Sequence, residues 1–440
     1  MSQSSALAQA LRGQGISDVD DSALAKALYS SDAGLYRIPP QVVVRPRDDA
    51  EIAAALSVAR EHGAPITMRG AGTSIAGNAI GPGIILDTSK HYNQILGIDQ
   101  QARTARVQPG VVHRQLQAQA VPLGLRFGPD PSTHTRCTIG GMIGNNACGS
   151  RALGYGRTVD NVEAMRTLLA DGSVVEQTTA LDKLVDDNLG LIRTEFGRFG
   201  RQVSGYSFEH LLPENERRFD RFLVGTEGTL GVVLEATVRL VADAPYRALA
   251  VLGYPSMAAA ADAVPTLLAH PLVACEGLDD RIARLVPGRP ELPAGAGWIF
   301  AEVTADSAGE ARELAEAVVK TAGVPAQVVT DAAHQAALWR IREDGAGLAA
   351  KTLERQAQAG WEDAAVPPEK LGAYLRDFDA LLDEYGLGGV PYGHFGDGCV
   401  HVRIDFELAT DQGRAGYRGF IEDAADLIAQ LPDERREELL

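Results

Sequence analysis

Cysteine is scarce in this sequence: four in 440 residues, Cys137, Cys148, Cys275 and Cys399, set far apart with no CxxC pair. That spacing offers neither a disulfide framework nor an iron–sulfur motif, and a reducing cytoplasm is the expected location. No run approaches the roughly 18 apolar residues of a membrane-spanning helix. The opening MSQSSALAQALRGQG lacks the charged start and apolar core of a secretory signal, so none is expected. Runs of Lys and Arg are missing too. With a net charge of −17, nothing suits the neutralisation of successive phosphates, and a nucleic-acid partner is not expected. A small anionic substrate stays compatible, because a local basic site can sit inside an acidic protein.

The sequence does have length and glycine. A chain of 440 residues exceeds one compact core and predicts two or three domains, and its 47 glycines need local reasons. Residues 1–32 read as a short helical segment. Val42–Val44 predicts a strand, Asp48 and Asp49 can cap a helix carrying Ile52, Leu56 and Ala59 on one face, and Gly63 is its stop. A short strand over 65–68 empties into a glycine loop, and strand-like IILDTSK, ARVQPGVV, SVVEQTT and GVVLEATVRL follow. Beyond residue 245, helix patterns at 256–269, 307–322 and 369–385 alternate with strands at 248–253, 298–304 and 400–406. Such alternation predicts an α+β sandwich over an antiparallel sheet.

Three glycine-rich segments stand out. RGAGTSIAGN (69–78) is neither GxGxxG nor GxxxxGK[ST], so neither the Rossmann nor the Walker reading fits. Its small residues after a strand would let backbone N–H groups approach an anion, or would serve only as a turn. GPDPSTHTRCTIGGMIGNNACGSRALGYG (128–156) has few large apolar side chains and predicts no packed helix or strand. GTEGTLGVVLEATVRL (225–240) is a further glycine turn running into a strand.

In this order the three segments resemble the FAD-binding domain of the vanillyl-alcohol oxidase/p-cresol methylhydroxylase (PCMH-type) flavoproteins. The branch they are most similar to is that of the D-lactate, glycolate and D-2-hydroxyglutarate dehydrogenases, in particular the long iron–sulfur-linked members. The resemblance covers most of residues 30–406. It implies an α+β fold: a two-subdomain PCMH-type FAD-binding domain at 33–244, an α+β cap with antiparallel sheet at 245–406, and a helical tail at 407–440. It also implies that Gly70, Ala71, Gly72, Thr73, Ser74 and Asn78 hold the FAD pyrophosphate. Pro129, Asp130, Ser132, Gly140, Gly141, Asn145 and Gly156 would line the ribityl and ring system, and Glu227, Gly228 and Val232 the adenosine end. Arg69, Gly77, Thr138, Gly144, Asn146 and Gly231 complete the cofactor-binding candidates. Members with covalent flavin often carry histidine where this chain has Thr73, so noncovalent FAD is expected.

GHFGDGCVH (393–401) sets His394 and His401 on either side of a Gly-Asp-Gly turn. In extended chain they would lie about 23 Å apart, so a shared ion requires the reversal that Gly396-Asp397-Gly398 can supply. After it, Val400, Val402, Ile404 and Phe406 alternate with His401, Arg403 and Asp405, which alone reads equally as a solvent-facing strand edge. The segment resembles the family's GHxGDGNxH motif, whose two histidines hold a divalent metal such as Zn beside the flavin. The family completes that site with a later S-x-E-H-G segment. This sequence ends in LPDERREELL without one, and the expectation is the flavoprotein portion of a larger enzyme, cut or redesigned at its end; the alternative is a natural short form with a changed role. Cys399, where the family often has asparagine, is expected to pack as a small apolar group.

Arg340 and Arg342 in LWRIREDGAG project in different directions along a helix, so one at most faces a site. By the resemblance Arg342 grips a substrate carboxylate with its planar fork; otherwise it is an exposed arginine paired along its helix. WEDAAVPPE resembles a pocket-lining strand, with Trp361 where some hydroxyglutarate dehydrogenases have lysine. The implied reaction is FAD-dependent oxidation of a D-2-hydroxy acid, of the D-2-hydroxyglutarate or D-lactate type, with the α-hydrogen passing to the flavin and the hydroxyl proton to a base. The catalytic candidates are His401, Arg342 and His394, with His401 as base if no metal binds. An electron acceptor, for instance an iron–sulfur domain or protein, is the implied partner. The alternative is a flavin-binding, electron-transfer module without turnover of its own.

Overall fold

The β-branched run Val42–Val44 is a fully buried strand, parallel to Ile84–Asp87, which is itself parallel to Ile66–Arg69; Val19–Asp20 adds an antiparallel edge. The computed structural model describes residues 5–203, 205–351, 353 and 355–429, except for the side chains of 344–346. Residues 1–4 and the LPDERREELL end of the tail at 430–440 lie outside it. Helix Asp49–His62 starts where the Asp48 side chain accepts from Glu51 N–H and stops at left-handed Gly63. Its Ile52, Ala55, Leu56 and Ala59 bury against the sheet core.

By internal contacts the chain forms two compact units: Met1–Arg198 with Gln202–Asp243, and Phe199–Arg201 with Ala244–Leu440. The first unit has a second sheet built on the long strand Gly231–Ala242. That strand pairs antiparallel with Thr104–Val107 on one side and Val162–Leu169 on the other, and with Leu125–Phe127 near its end. SVVEQTT contributes only Val174–Val175. The glycine-rich stretch 128–156, expected to hold no packed helix, does hold helix: a single turn at Ala152–Tyr155 and the longer Ile139–Gly144. Thr138 caps it by accepting from Gly141 N–H, and Ile139, Met142 and Ile143 bury one face. Apolar spacing of three and four residues overrides the glycines' entropic penalty.

In the second unit, Leu272–Asp279, Gly297–Ala305, Tyr246–Tyr254 and Ala326–Val329 form an antiparallel sheet in that order. Helices Met257–Leu267 and Ala308–Ala322 pack on it. A smaller sheet places Cys399–Ile404 between Gln358–Ala365 and Gly389–Tyr392. The strand carrying His401 is thus central, not a solvent-facing edge, and its apolar Val400, Val402 and Ile404 are buried. A single bridge, Gly277 to Gly393, ties the two sheets together. Helix Asp411–Ala429 follows. No helix among the described residues is long and apolar enough to cross a membrane.

Candidate functional site

The first unit holds a cavity lined by many glycines and other small residues. Arg69 to Ser74 and Asn78 form one side, Thr138, Gly140, Gly141, Gly144 and Asn145 a second, and Glu227, Gly228 and Gly231 a third. These candidates converge although up to about 160 residues separate them in sequence. The glycines are needed there. A Cβ on Gly70 would lie 2.1 Å from Thr138 Oγ1, and one on Gly72 would lie 2.4 Å from an Arg69 guanidinium nitrogen. Gly72 and Gly228 have positive φ, as does the non-glycine Glu227 at 55°. Backbone that side chains would otherwise fill is what a flat ring system and a pyrophosphate require, so the cavity fits FAD.

Seven candidates do not line this cavity: Gly77, Pro129, Asp130, Ser132, Asn146, Gly156 and Val232. Val232 is buried in the apolar core. Asp130 accepts from Arg151 at backbone and guanidinium, and Asn146 Oδ1 accepts from Val159 N–H. Gly156 ends a short helix with a Cβ direction blocked by Asp160. They shape the loops around the cavity. Met142, Ile143 and Thr226, which no cofactor motif marks, are also brought to the wall by the fold.

The second unit holds a cluster of charge. The Gly396-Asp397-Gly398 turn reverses the chain, so the rings of His394 and His401 stand 5.3 Å apart, edge to face. Asp363 joins them: one donor atom from each of the three lies within 4.8 Å of the others. Its arrival depends on an irregular strand. Trp361 pairs with Val402 and Ala364 with Val400, so one extra residue is inserted, and Asp363 takes φ 53°. A bulge lets consecutive residues escape strict alternation. Glu362 accordingly reaches His401 Nδ1 at 3.0 Å and ion-pairs with Arg403, while Asp363 Oδ1 accepts from Arg201 at 2.5 Å. Trp361 itself turns into the core, donating to Tyr374 OH at 2.7 Å and stacking on Phe378.

Arg342 is buried and Arg340 exposed, so the helix Ala332–Leu348 offers one arginine to the cluster. Arg342 lies over the Tyr392 ring and pairs with Glu276. Arg201 also donates to Cys399 Sγ, so this thiol, although buried, sits in a polar contact and not in the apolar packing expected of it. Burial holds the His401 imidazole far below its usual range, at about 3, against the opposing pull of Asp363. A neutral imidazole pair with a carboxylate is a donor set that a divalent cation of the zinc type accepts.

Residues 40–178 match the family described as FAD binding domain, and residues 244–432 the family described as FAD linked oxidases, C-terminal domain. D-2-hydroxyglutarate dehydrogenase of Pseudomonas putida is 30% identical over 96% of this chain and 46% of its own length. D-lactate dehydrogenase of Archaeoglobus fulgidus is 32% identical over 82% of this chain and 74% of its own. The chain spans less than half the length of the D-2-hydroxyglutarate dehydrogenases it matches. Among solved structures, p-cresol methylhydroxylase with substrate bound superposes with a TM-score of 0.68 over 96% of this chain and 86% of that one, at 14% identity, a likeness of fold. A flavin-shaped glycine cavity and two matched domains in this order make the chain a member of the FAD-linked oxidases.

Proposed function

We propose that this chain carries FAD noncovalently and takes part in oxidising a D-2-hydroxy acid, of the D-2-hydroxyglutarate or D-lactate type, to the 2-oxo acid. The observation that carries this reading is one cluster holding both an arginine fork, Arg342, and a three-donor set, His394, His401 and Asp363. FAD, when bound, supplies the two-electron acceptor. A divalent ion on the three donors would supply a Lewis acid for the substrate hydroxyl. Asp363 would be the third ligand of that ion.

The remaining work falls to side chains. Glu276 engages Nε and Nη2 of Arg342 and leaves Nη1 outside that pair, where a substrate carboxylate can be gripped. His394 and His401 would fix the hydroxyl against that grip, with a Glu362 oxygen 3.0 Å from His401 Nδ1. Thr73 carries a hydroxyl where a histidyl link would need an imidazole, which supports noncovalent flavin. Four cysteines outside any disulfide suit a reducing compartment such as the cytoplasm. We propose an iron–sulfur domain or protein as electron acceptor, on the resemblance to the long relatives.

The test is an anaerobic titration of the yellow protein with D-2-hydroxyglutarate and D-lactate. Bleaching of the flavin band by either supports the reading. A yellow protein that neither acid bleaches would be a flavin-binding electron-transfer module, and one that refused FAD would sink the cofactor assignment. If His401→Ala left flavin reduction unchanged, both its ligand role and any role as base would be abandoned.

A further inference from the structure

Glu276 belongs to no motif, yet it touches both parts of the proposed site. Its side chain is 1% exposed, in the strand Leu272–Asp279. A carboxylate so buried is costly unless each oxygen is satisfied. Here both are. Oε2 accepts from Arg342 Nε at 3.0 Å and lies 2.9 Å from Nη2, and Oε1 lies 2.8 Å from His394 Nδ1.

We infer that Glu276 is a positioning residue that couples the carboxylate grip of Arg342 to the imidazole of His394. The inference rests on the D-2-hydroxy-acid reading for what the coupling is used for, and on the three contacts for its existence. An ionised carboxylate only accepts, so Nδ1 of His394 carries the hydrogen and Nε2 carries the lone pair. That is the tautomer a metal ligand needs when its other nitrogen is held by an acidic partner. Arg342 is confined on its other side by the Tyr392 ring, 5.1 Å from the guanidinium carbon. A ligand that draws on the Arg342 charge therefore changes the demand on Oε2, and the same carboxylate passes that change to Oε1 and His394.

Glu276→Gln keeps the shape and breaks the logic. An amide has one acceptor oxygen for two donors, so its NH2 must confront either Arg342 or the His394 Nδ1–H. In the full-length holoprotein, nitrogen-15 NMR of labelled histidine reads the tautomer directly, with the His394 signals assigned by their loss in His394→Gln. We expect the wild type to show His394 protonated at Nδ1, with ring signals that shift when 2-oxoglutarate is added. In Glu276→Gln the tautomer becomes mixed and 2-oxoglutarate leaves the ring signals in place. Zn2+ affinity by calorimetry falls on the order of 10- to 100-fold. Arg340→Ala, on the exposed face of the same helix, changes none of these.

Two results overturn the inference without needing a stable variant: a wild-type His394 protonated at Nε2, or wild-type ring signals that stay in place when a 2-oxo acid, 2-oxoglutarate or pyruvate, is shown by calorimetry to bind. A folded, flavin-loaded Glu276→Gln that keeps tautomer, response and Zn2+ affinity would reduce the contacts to a structural ion pair. Flavin bleaching enters none of these readouts. An inert protein that showed the coupling would refute the proposed function and leave this inference standing.

Discussion

Gly277 and Gly393 hold each other through the backbone: Gly277 N–H donates to Gly393 O at 2.8 Å, and Gly393 N–H to Gly277 O at 3.2 Å. Their neighbours Glu276 and His394 are thereby adjacent before any side chain makes contact. Neither glycine has room for more. A Cβ on Gly277 would lie 2.4 Å from the Phe395 ring, and Gly393 sits at φ 153° with Cys399 O 2.6 Å from its Cβ position. Gly277→Ala should lower the unfolding free energy by about 2 kcal/mol, as overpacking does, and weaken Zn2+ binding along with it. Urea unfolding and calorimetry check the two effects.

Two left-handed glycines of the first unit divide the roles: Gly63, outside the cavity, caps a helix, and Gly72, in the cavity wall, is proposed to serve the cofactor. Gly63 and Gly72 both have positive φ, but a Cβ on Gly63 meets nothing within 4 Å, whereas one on Gly72 meets Arg69. Either alanine costs about 1–2 kcal/mol for the left-handed backbone. Only Gly72→Ala should also displace Arg69, which donates to Ser31 O and Ala79 O across the loop. Its flavin-to-protein ratio after purification should fall several-fold, while Gly63→Ala keeps full flavin. Equal flavin contents would refute the division.

The N-terminal segment is fastened by Asp18, which is met by Arg45, Lys90 and His91 at 3.0, 2.9 and 3.0 Å. Burial pushes its carboxyl upward, but the hydrogen bonds from Lys90, His91 and Arg45 and the charge of Arg45 outweigh that and hold it at about 2, against 3.8 ordinarily. A depressed folded pKa means stability present above pH 4 and lost as pH falls toward 2, amounting to about 2 kcal/mol. Thermal melts should therefore show Asp18→Asn less stable than wild type at pH 6, with the gap closing by pH 2.

The sequence made the local features legible and the convergent ones not. Helix Asp49–His62 could be read from its cap, its apolar face and its terminal glycine, because all three signals lie within a few residues. Spacing in GHFGDGCVH allowed His394 and His401 to meet, and they do. Asp363 was hidden because it enters through a bulge, which a period-two reading of its strand cannot anticipate. Glu276 and Arg201 were hidden for another reason: each acts through a partner 66 or more positions away, and nothing in ACEGLDD or FGRQV marks them. In 128–156 the glycines argue against a helix, but the weaker Ile139, Met142, Ile143 spacing decides the fold there.

Trp361 tests whether a family position can be re-equipped. It stands where some hydroxyglutarate dehydrogenases are expected to have lysine, yet here it is core, bonded to Tyr374 and packed on Phe378 and Phe420. Trp361→Lys would bury an ammonium among aromatic rings with no carboxylate partner in those contacts. We expect a loss above about 3 kcal/mol and no gain in affinity for a second substrate carboxylate. Trp361→Phe, which loses one hydrogen bond, should cost about 1 kcal/mol. A stable Trp361→Lys protein with tightened 2-oxoglutarate binding would show that the strand can turn its face.

Arg342 and Glu276 allow stability to be separated from the proposed recognition, because the ion pair they form is buried and Arg342 is the proposed carboxylate grip. Arg342→Met leaves the Glu276 carboxylate buried with His394 as its remaining partner among these contacts, which should cost about 3–5 kcal/mol. Removing both charges in Arg342→Met with Glu276→Met deletes the stranded carboxylate, so urea unfolding should return to within about 1–2 kcal/mol of wild type. Recognition should not return: neither protein has a fork for a carboxylate, and 2-oxoglutarate binding should be lost in both. Arg342→Lys keeps the charge without the paired donors, so it should fold better than Arg342→Met yet bind 2-oxoglutarate about tenfold more weakly than wild type. A double variant no more stable than Arg342→Met would mean that the cost lies in lost packing of the guanidinium against Tyr392 and not in the unpaired carboxylate.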